Sequence, residues 1–130
     1  MMHNALKILF PDFKTGDWLL QDDSDGPYVK KWNRTEPQPT PAEIVAAIPA
    51  AVRAQKITET KAEAARRILA KWPDWRQRNA ALGLLLPEEV ESCKQWITDI
   101  KAASDQIEYD LKMSADPAKF DVAGSARWPV

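Results

Sequence analysis

Hydrophobic residues in the C-terminal third of the chain recur at alternating steps of three and four. The series lies between Pro87 and Met113, has one polar member, and comprises Val90, Cys93, Ile97, Ile100, Ser104, Ile107 and Leu111. This spacing is a heptad seam held over about three repeats, and it predicts one long helix. Because the apolar stripe is narrow, the helix must pair with another helix, either in the same chain or in a neighbouring one.

The predicted helix carries signals at both ends. Pro87 suits a first helical turn because its backbone angle is preset and it lacks the amide that this turn leaves unused. Glu88 and Glu89 follow, where the positive end of the helix dipole favours carboxylates. Pro117 pushes Asp116 out of helical angles, so the helix should end before that residue.

A second helical region precedes the heptad helix. Residues 42–72 are rich in alanine, glutamate, lysine and arginine, which favour helix. They follow a proline-rich linker over residues 37–41, and Thr40 with Glu43 makes a capping-box pattern at the helix start. Pro49 lacks an amide and clashes with the preceding turn, so we expect a kink or break there.

The first 36 residues favour strands and turns. Lys7–Phe10 is a short strand candidate that Pro11 would stop. Trp18–Gln21 and Tyr28–Trp32 are rich in strand formers, and the acidic turn between them predicts a hairpin.

The predicted hairpin should carry aromatic side chains on one face. Tyr28 and Trp32 are four residues apart in an extended strand, so both should point to the same side. The acidic turn does not fit a calcium loop, because its glycine comes one place early and no glutamate closes it. A lone hairpin is marginal, so it needs a third strand, a helix or a partner chain.

These elements predict an α+β protein that is predominantly α. A small β-hairpin module (1–36) and the linker (37–41) lead into a helical region (42–113) and an irregular tail (114–130). The helical region is expected to be a helical hairpin, whose two long arms meet at a bend over Trp72–Trp75 and whose second arm is the heptad helix.

Composition and charge fit a folded protein of a reducing cytoplasm. The 130 residues include 18 basic and 19 acidic side chains and one cysteine, which excludes an internal disulfide. Cys93 on the seam is interpreted as a buried thiol. We expect no signal peptide and no membrane span. Residues 41–86 carry a net charge of +4 (eight basic, four acidic) and residues 87–130 one of −4 (five basic, nine acidic), which suits helices lying side by side.

The sequence contains no combination of residues that is suited to catalysis. The only histidine, His3, lies near the N-terminus, so a serine or cysteine nucleophile would lack a base. The scattered glycines form no phosphate-binding loop. We therefore expect no enzyme, with no catalytic, cofactor-binding or metal-binding residues and no cofactor.

A basic and aromatic cluster supports an alternative function. It comprises Arg66, Arg67, Lys71, Trp72, Trp75, Arg76 and Arg78. Arginine beside exposed tryptophan can hold phosphates and stack on bases, so a nucleic-acid-binding helical module is the alternative. Against it, the tryptophans could be core residues and the arginines could pair with the acidic later helix. The pI near 5.8 also disfavours a dedicated nucleic-acid binder.

Four phrases of the sequence occur in a recognisable order. They are VKKW at 29–32 with PQPT at 37–40, PDWRQRN at 73–79, IKAASDQIE at 100–108 and RWP at 127–129. Together they resemble phage and prophage tail-associated small proteins, including tail fibre assembly and tail assembly chaperone proteins.

The resemblance implies a non-enzymatic tail protein, structural or assisting tail or tail-fibre assembly, with other phage tail or tail-fibre proteins as partners. It implies a place in the cytoplasm of a bacterial host or in the virion tail. Four residues of the phrase at 73–79 are carried over from the resemblance, and together with Trp72 they are expected to hold the bend. They are Trp75, Gln77, Arg78 and Asn79.

Two kinds of surface are candidates for partner contacts. The first is aromatic and comprises Trp18, Tyr28, Trp32 and Trp128. The second is the heptad seam, which can close within the chain or between chains as a homo-oligomer. Ser104 would weaken the seam slightly and help to fix its register.

Overall fold

The computed structural model describes all 130 residues and contains four α-helices and one two-stranded sheet. The elements are α1 (Met2–Leu9), β1 (Trp18–Asp22), β2 (Pro27–Trp32), α2 (Pro41–Lys71), α3 (Asp74–Ala81), α4 (Pro87–Met113) and a 3-10 helix over Pro117–Lys119. The predicted α+β, predominantly α class is confirmed. The chain divides into unit 1 (Met1–Ala54) and unit 2 (Gln55–Val130), with the division inside α2. None of the helices combines the length and hydropathy needed to cross a bilayer.

The predicted strand at Lys7–Phe10 is wrong, because most of this segment belongs to helix α1. Ala5 and Leu6 of that helix are completely buried in unit 1. Burial of this helical face outweighs the local strand preference of the apolar residues that follow it. Pro11 does end the element, since Phe10 before it leaves helical angles.

The predicted hairpin of β1 and β2 is confirmed, but the faces of β2 are not those expected. Leu20 lies opposite Val29, and Lys30 is the extra residue of a bulge. The bulge shifts the alternation of side chains by one residue. Val29 and Trp32 therefore both pack on the core of unit 1, whereas Tyr28 is exposed. The expectation that Tyr28 and Trp32 share a face is wrong.

Helix α2 begins with the predicted capping box and continues through Pro49. The Thr40 hydroxyl accepts a hydrogen bond from the Glu43 amide (3.2 Å), and the Glu43 carboxylate accepts one from the Thr40 amide (3.4 Å). Of the predicted kink or break near Pro49, the break does not occur, because α2 is one helix from Pro41 to Lys71. The proline removes the donor for the Val45 carbonyl, but Val45 is exposed, so water can replace that donor. Packing of Ala47 in the core of unit 1 holds the helix across this point.

Unit 2 is built on packing between the C-terminal part of α2 and helix α4, which has the predicted bounds Pro87–Met113. Its buried apolar core comprises Ala64, Ile100, Ala103, Ile107, Leu111, Val122 and Trp128. The heptad seam thus contributes three of its members to a core formed within the chain. On α2, the small residue Ala64 is buried in this core, and the partly buried Ile57 and Ile68 pack against it.

The predicted bend separates α2 from α3. Helix α2 ends at Lys71, and Pro73 is the extended residue that precedes α3. Because proline cannot continue the preceding helix but suits the start of the next one, the chain changes direction here.

The C-terminal tail folds back onto the helices of unit 2. Val122 and Trp128 are buried, and the Trp128 indole donates a hydrogen bond to the Val122 carbonyl (2.8 Å). Lys56 on α2 donates to the Phe120 carbonyl (2.8 Å). The tail contains the short 3-10 helix, and its aromatic residues Phe120 and Trp128 contribute to the core of unit 2.

Candidate functional site

The aromatic side chains of unit 1 form a cluster around Trp18. The rings of Trp18 and Trp32 stack with centroids 5.6 Å apart and planes 8° from parallel. Phe13 lies against Trp18 at 4.5 Å. His3 accepts a hydrogen bond from the Trp18 indole (3.1 Å), so this histidine has a defined structural place. Trp18 is buried, and stacking of this kind stabilises a small unit whose hairpin cannot stand alone.

Tyr28 is the predicted partner-binding residue that remains exposed. Its hydroxyl donates a hydrogen bond to Asp23 (2.6 Å) in the acidic turn. This bond raises the pKa of Tyr28 and lowers the pKa of the Asp23 carboxyl. Leu19 is also exposed on the hairpin. The tyrosine ring is thus oriented by the turn and accessible to a partner.

Arg34 ties the end of the hairpin to the segment after α1. Its guanidinium forms ion pairs with Asp12 (2.9 Å), Asp17 (2.6 Å) and Glu36 (2.9 Å), and it lies over the Phe10 ring at 4.7 Å. These partners raise the pKa of Arg34, Glu36 having the largest effect. An arginine guanidinium carries five N–H donors in a fixed planar arrangement, so it can bind several carboxylates at once.

Sequence reasoning missed this arginine. Asp12 and Asp17 lie 22 and 17 residues away in the sequence, so no local pattern links them to Arg34. With three carboxylates around one cation, the group is satisfied internally. It organises unit 1 and supplies no reacting atom.

The basic and aromatic cluster of the alternative hypothesis is largely engaged within unit 2. Glu63 on α2 accepts hydrogen bonds from Arg66 and Arg67. The expectation that these arginines pair with the later acidic helix is wrong, because the helical spacings of three and four bring Glu63 nearer. Lys71 lies over the Trp96 ring at 4.0 Å. This arrangement gives the nucleic-acid hypothesis no support.

The two tryptophans at the bend have different environments. Trp72 is buried, with the Arg76 guanidinium over its ring at 4.1 Å, whereas Trp75 is exposed. The Trp72 indole nitrogen is buried without a hydrogen-bond partner. Gln77 donates to the Trp72 carbonyl at the end of α2 (2.6 Å), which occupies one of the acceptors that a helix end leaves unpaired.

Asn79 and Arg78 complete the predicted bend phrase. The Asn79 carbonyl accepts a hydrogen bond from the Leu84 amide (2.9 Å), so it acts through its backbone. Arg78 is exposed and forms no ion pair. Of the phrase, Gln77 and Asn79 therefore contact the turns on either side of α3, and Trp75 and Arg78 face solvent.

The members of the heptad seam differ in how deeply they are buried along α4. Ile100, Ile107 and Leu111 are completely buried, and Cys93 is buried as predicted. Val90 and Ile97, which flank Cys93 in the seam, are half-buried and border a groove between α3 and α4. No group of three or more histidine, cysteine, aspartate or glutamate side chains is arranged to hold a metal ion.

Glu63 makes a testable contribution to the pH dependence of stability. Its hydrogen bonds with Arg66 and Arg67 lower its pKa from 4.5 to about 2. Because the folded-state pKa is below the unfolded one, the stabilisation is complete above about pH 4.5 and is lost as the pH falls towards 2. We expect Glu63→Gln to lower the free energy of unfolding at pH 7 by about 1–2 kcal/mol, after discounting for the exposure of Arg66.

Urea denaturation followed by circular dichroism across this pH range measures the effect. The difference between wild type and variant should shrink as the pH falls. Glu59→Gln, one turn earlier on the same helix at an exposed position, is the control and should leave the urea midpoint unchanged. A Glu63→Gln difference that is independent of pH would contradict the ion-pair explanation.

Comparison with known proteins finds one family. A family model described as XkdW protein matches residues 2–56, which include α1, the hairpin, the linker and the first part of α2. No curated protein and no solved structure matches the chain. The matched stretch nearly coincides with unit 1. Because this family is phage-associated, the match supports a phage-related protein.

Proposed function

We propose that this chain is a non-enzymatic phage or prophage tail protein, which builds the tail or assists tail or tail-fibre assembly through protein–protein contacts. The observation that carries the proposal is the XkdW family match over residues 2–56. That stretch is also a unit with its own aromatic core, Arg34 ion-pair group and capped helix. A family signal that nearly coincides with one unit having its own core is typical of a module that can fold by itself.

The hairpin of unit 1 offers the contact surface. It has two strands and therefore two edges whose backbone groups are open to pairing with an added strand. Leu19 and Tyr28 are 51% and 41% exposed and supply side chains beside those edges. A tyrosine held by Asp23 offers contact area at low entropic cost, which is typical of protein recognition.

Removal of the gene from its phage or prophage tests this function. We expect induced particles with filled heads and with tails or tail fibres that are missing or incomplete in electron micrographs. Complementation with wild type should restore complete particles. Mass spectrometry of purified particles then separates a resident tail component, which is retained, from an assembly factor, which is absent.

A variant of the hairpin surface sharpens the test. The double variant Leu19→Ala/Tyr28→Ala should fail to complement, whereas Tyr109→Ala, an exposed tyrosine on α4, should complement fully. Circular dichroism confirms that both proteins fold. Complete and infectious particles in the absence of the gene would overturn the proposed function, and full complementation by the double variant would overturn the proposed surface.

A further inference from the structure

The connection between α3 and α4 exposes a set of large apolar side chains. Leu82, Leu84 and Leu86 are 66%, 68% and 58% exposed, and Trp75 on α3 is 61% exposed. We call these four residues the tip patch. Together they present on the order of 500 Å² of apolar surface, which is at the upper end of what monomeric proteins leave in contact with water.

The tip patch is held by an ordered turn. The Gly83 amide bonds to the Ala80 carbonyl (3.2 Å) and the Leu84 amide to the Asn79 carbonyl (2.9 Å), with Gly83 at a φ of +74°. These two hydrogen bonds form the Schellman motif, which ends a helix. Gly83 therefore defines the end of α3. Leu84 occupies the position that usually packs on the third-last helical residue. Here that residue is the polar Asn79, and Leu84 remains in solvent.

A groove lies next to these side chains. It has a volume of about 390 Å³ and runs between α3 and the beginning of α4. Its apolar walls include Ala80 and Ala81 from α3 and Val90 and Ile97 from α4, and its polar lining residues are Gln77 and Lys94. The groove is mostly apolar and can accept a large apolar side chain, and it belongs to the same end of unit 2 as the exposed leucines.

The charges at this end are complementary as well. Arg78 on α3 is exposed and forms no ion pair. Glu88, in the first turn of α4, is also exposed and unpaired. The two charges stand on opposite sides of the leucine-bearing connection along the chain. An unpaired positive charge and an unpaired negative charge at one end of a unit can each pair with the opposite charge of a second copy across a two-fold axis.

We propose that the tip patch is a docking surface for a second copy of this chain. The leucines of each copy enter the groove between α3 and α4 of the other, and Arg78 of each copy faces Glu88 of the other. A contact of this kind is isologous, so the same patch serves both partners. The tip patch alone presents on the order of 500 Å², compared with roughly 800 Å² per partner in a standard interface.

This dimer differs from one formed through the heptad seam. The most buried seam residues, Ile100, Ile107 and Leu111, lie in the core of unit 2 and could pair between chains only if that core opened. The tip patch needs no such opening. The inference also stands apart from the proposed tail function, because it depends on unit 2 and that function was assigned from unit 1.

The mass of the full chain in solution tests the dimer. Light scattering from micromolar to millimolar concentration should show a rise from the 14.7 kDa monomer towards twice that mass. Leu84→Lys places two charges in the interface, one from each copy, and should raise the dissociation constant by at least about tenfold. Met113→Lys is the matched control, since Met113 is also 68% exposed but lies at the other end of α4, and it should leave the dissociation constant unchanged.

Charge reversal tests the two-fold pairing. Arg78→Glu and Glu88→Arg should each weaken the dimer, and the double variant should restore it, because each copy then offers the same pair with the signs exchanged. A wild-type chain that stays monomeric throughout the concentration range overturns the proposal. Equal effects of Leu84→Lys and Met113→Lys, or a double variant weaker than both single variants, would also overturn it. Circular dichroism confirms that every variant is folded.

Discussion

Replacing Ile100 with aspartate is expected to abolish the cooperative unfolding transition of unit 2. The Ile100 side chain is completely buried in the core that α4 forms with α2 and the tail. A carboxylate in this place would lie among the apolar side chains of the core and lose its hydration, which costs several kcal/mol. A loss of more than about 4 kcal/mol is a large fraction of the stability of a small unit. Thermal unfolding by circular dichroism and near-ultraviolet tryptophan signals measure the effect.

Two variants on the same helix serve as controls for Ile100→Asp. Tyr109→Asp changes a side chain that is 56% exposed and should shift the unfolding midpoint little. Ile97→Asp affects a half-buried seam position and should fall between the two. An Ile100→Asp protein with the midpoint of wild type would show that the seam does not support unit 2.

Replacing Trp128 with alanine is expected to lower the free energy of unfolding of unit 2 by about 3–5 kcal/mol. Trp128 is buried, its indole donates to the Val122 carbonyl at 2.8 Å, and the Arg67 guanidinium lies over its ring at 5.0 Å. Alanine removes the ring, leaves a cavity and releases both partners. Urea denaturation monitored by circular dichroism gives the change.

Comparison with other aromatic substitutions identifies the cause. Trp128→Phe keeps most of the apolar volume and loses one hydrogen bond, so it should cost clearly less than alanine. Trp75→Ala removes an exposed tryptophan and should change stability by less than about 0.5 kcal/mol. If Trp128→Ala and Trp75→Ala gave equal midpoints, the tail would not be part of the folded core.

Local patterns in the sequence were sufficient to predict several of the secondary-structure elements. The heptad spacing and Pro87 predicted α4 with the bounds that the structure has. The Thr40–Glu43 capping box marked the start of α2, and Pro73 marked the bend. These signals act within a few residues, because proline angles, capping hydrogen bonds and helical periodicity depend on near neighbours in the chain.

Other features depend on contacts between distant residues. For these features the sequence pattern gave a wrong prediction or none. Helix α1 forms against its local strand preference because Leu6 becomes completely buried. The bulge at Lys30 exchanges the faces of β2, and no residue type in the strand signals it. Helix α2 passes Pro49 because packing on both sides outweighs one lost hydrogen bond.

The surfaces proposed for partner contacts were also only partly predictable from the sequence. Aromatic side chains marked Trp18, Tyr28, Trp32 and Trp128 as candidates for partner contacts, yet Trp18 and Trp128 are buried and Tyr28 remains accessible. The leucines around Gly83 were not predicted to form a surface, and the fold shows that three of them are exposed. The residue type gives only a preference for burial. Whether a particular side chain is exposed depends on how the whole molecule packs.

The sequence by itself thus determined the helical and hairpin elements whose signals are local, together with the family signal of residues 2–56. The tertiary structure alone decided that the seam closes within unit 2, that Arg34 gathers three carboxylates, and that the leucines of the tip patch stay in solvent. The physical reason is that hydrogen bonding along a helix or turn is specified within a few residues. Burial and charge pairing depend on which distant segments meet.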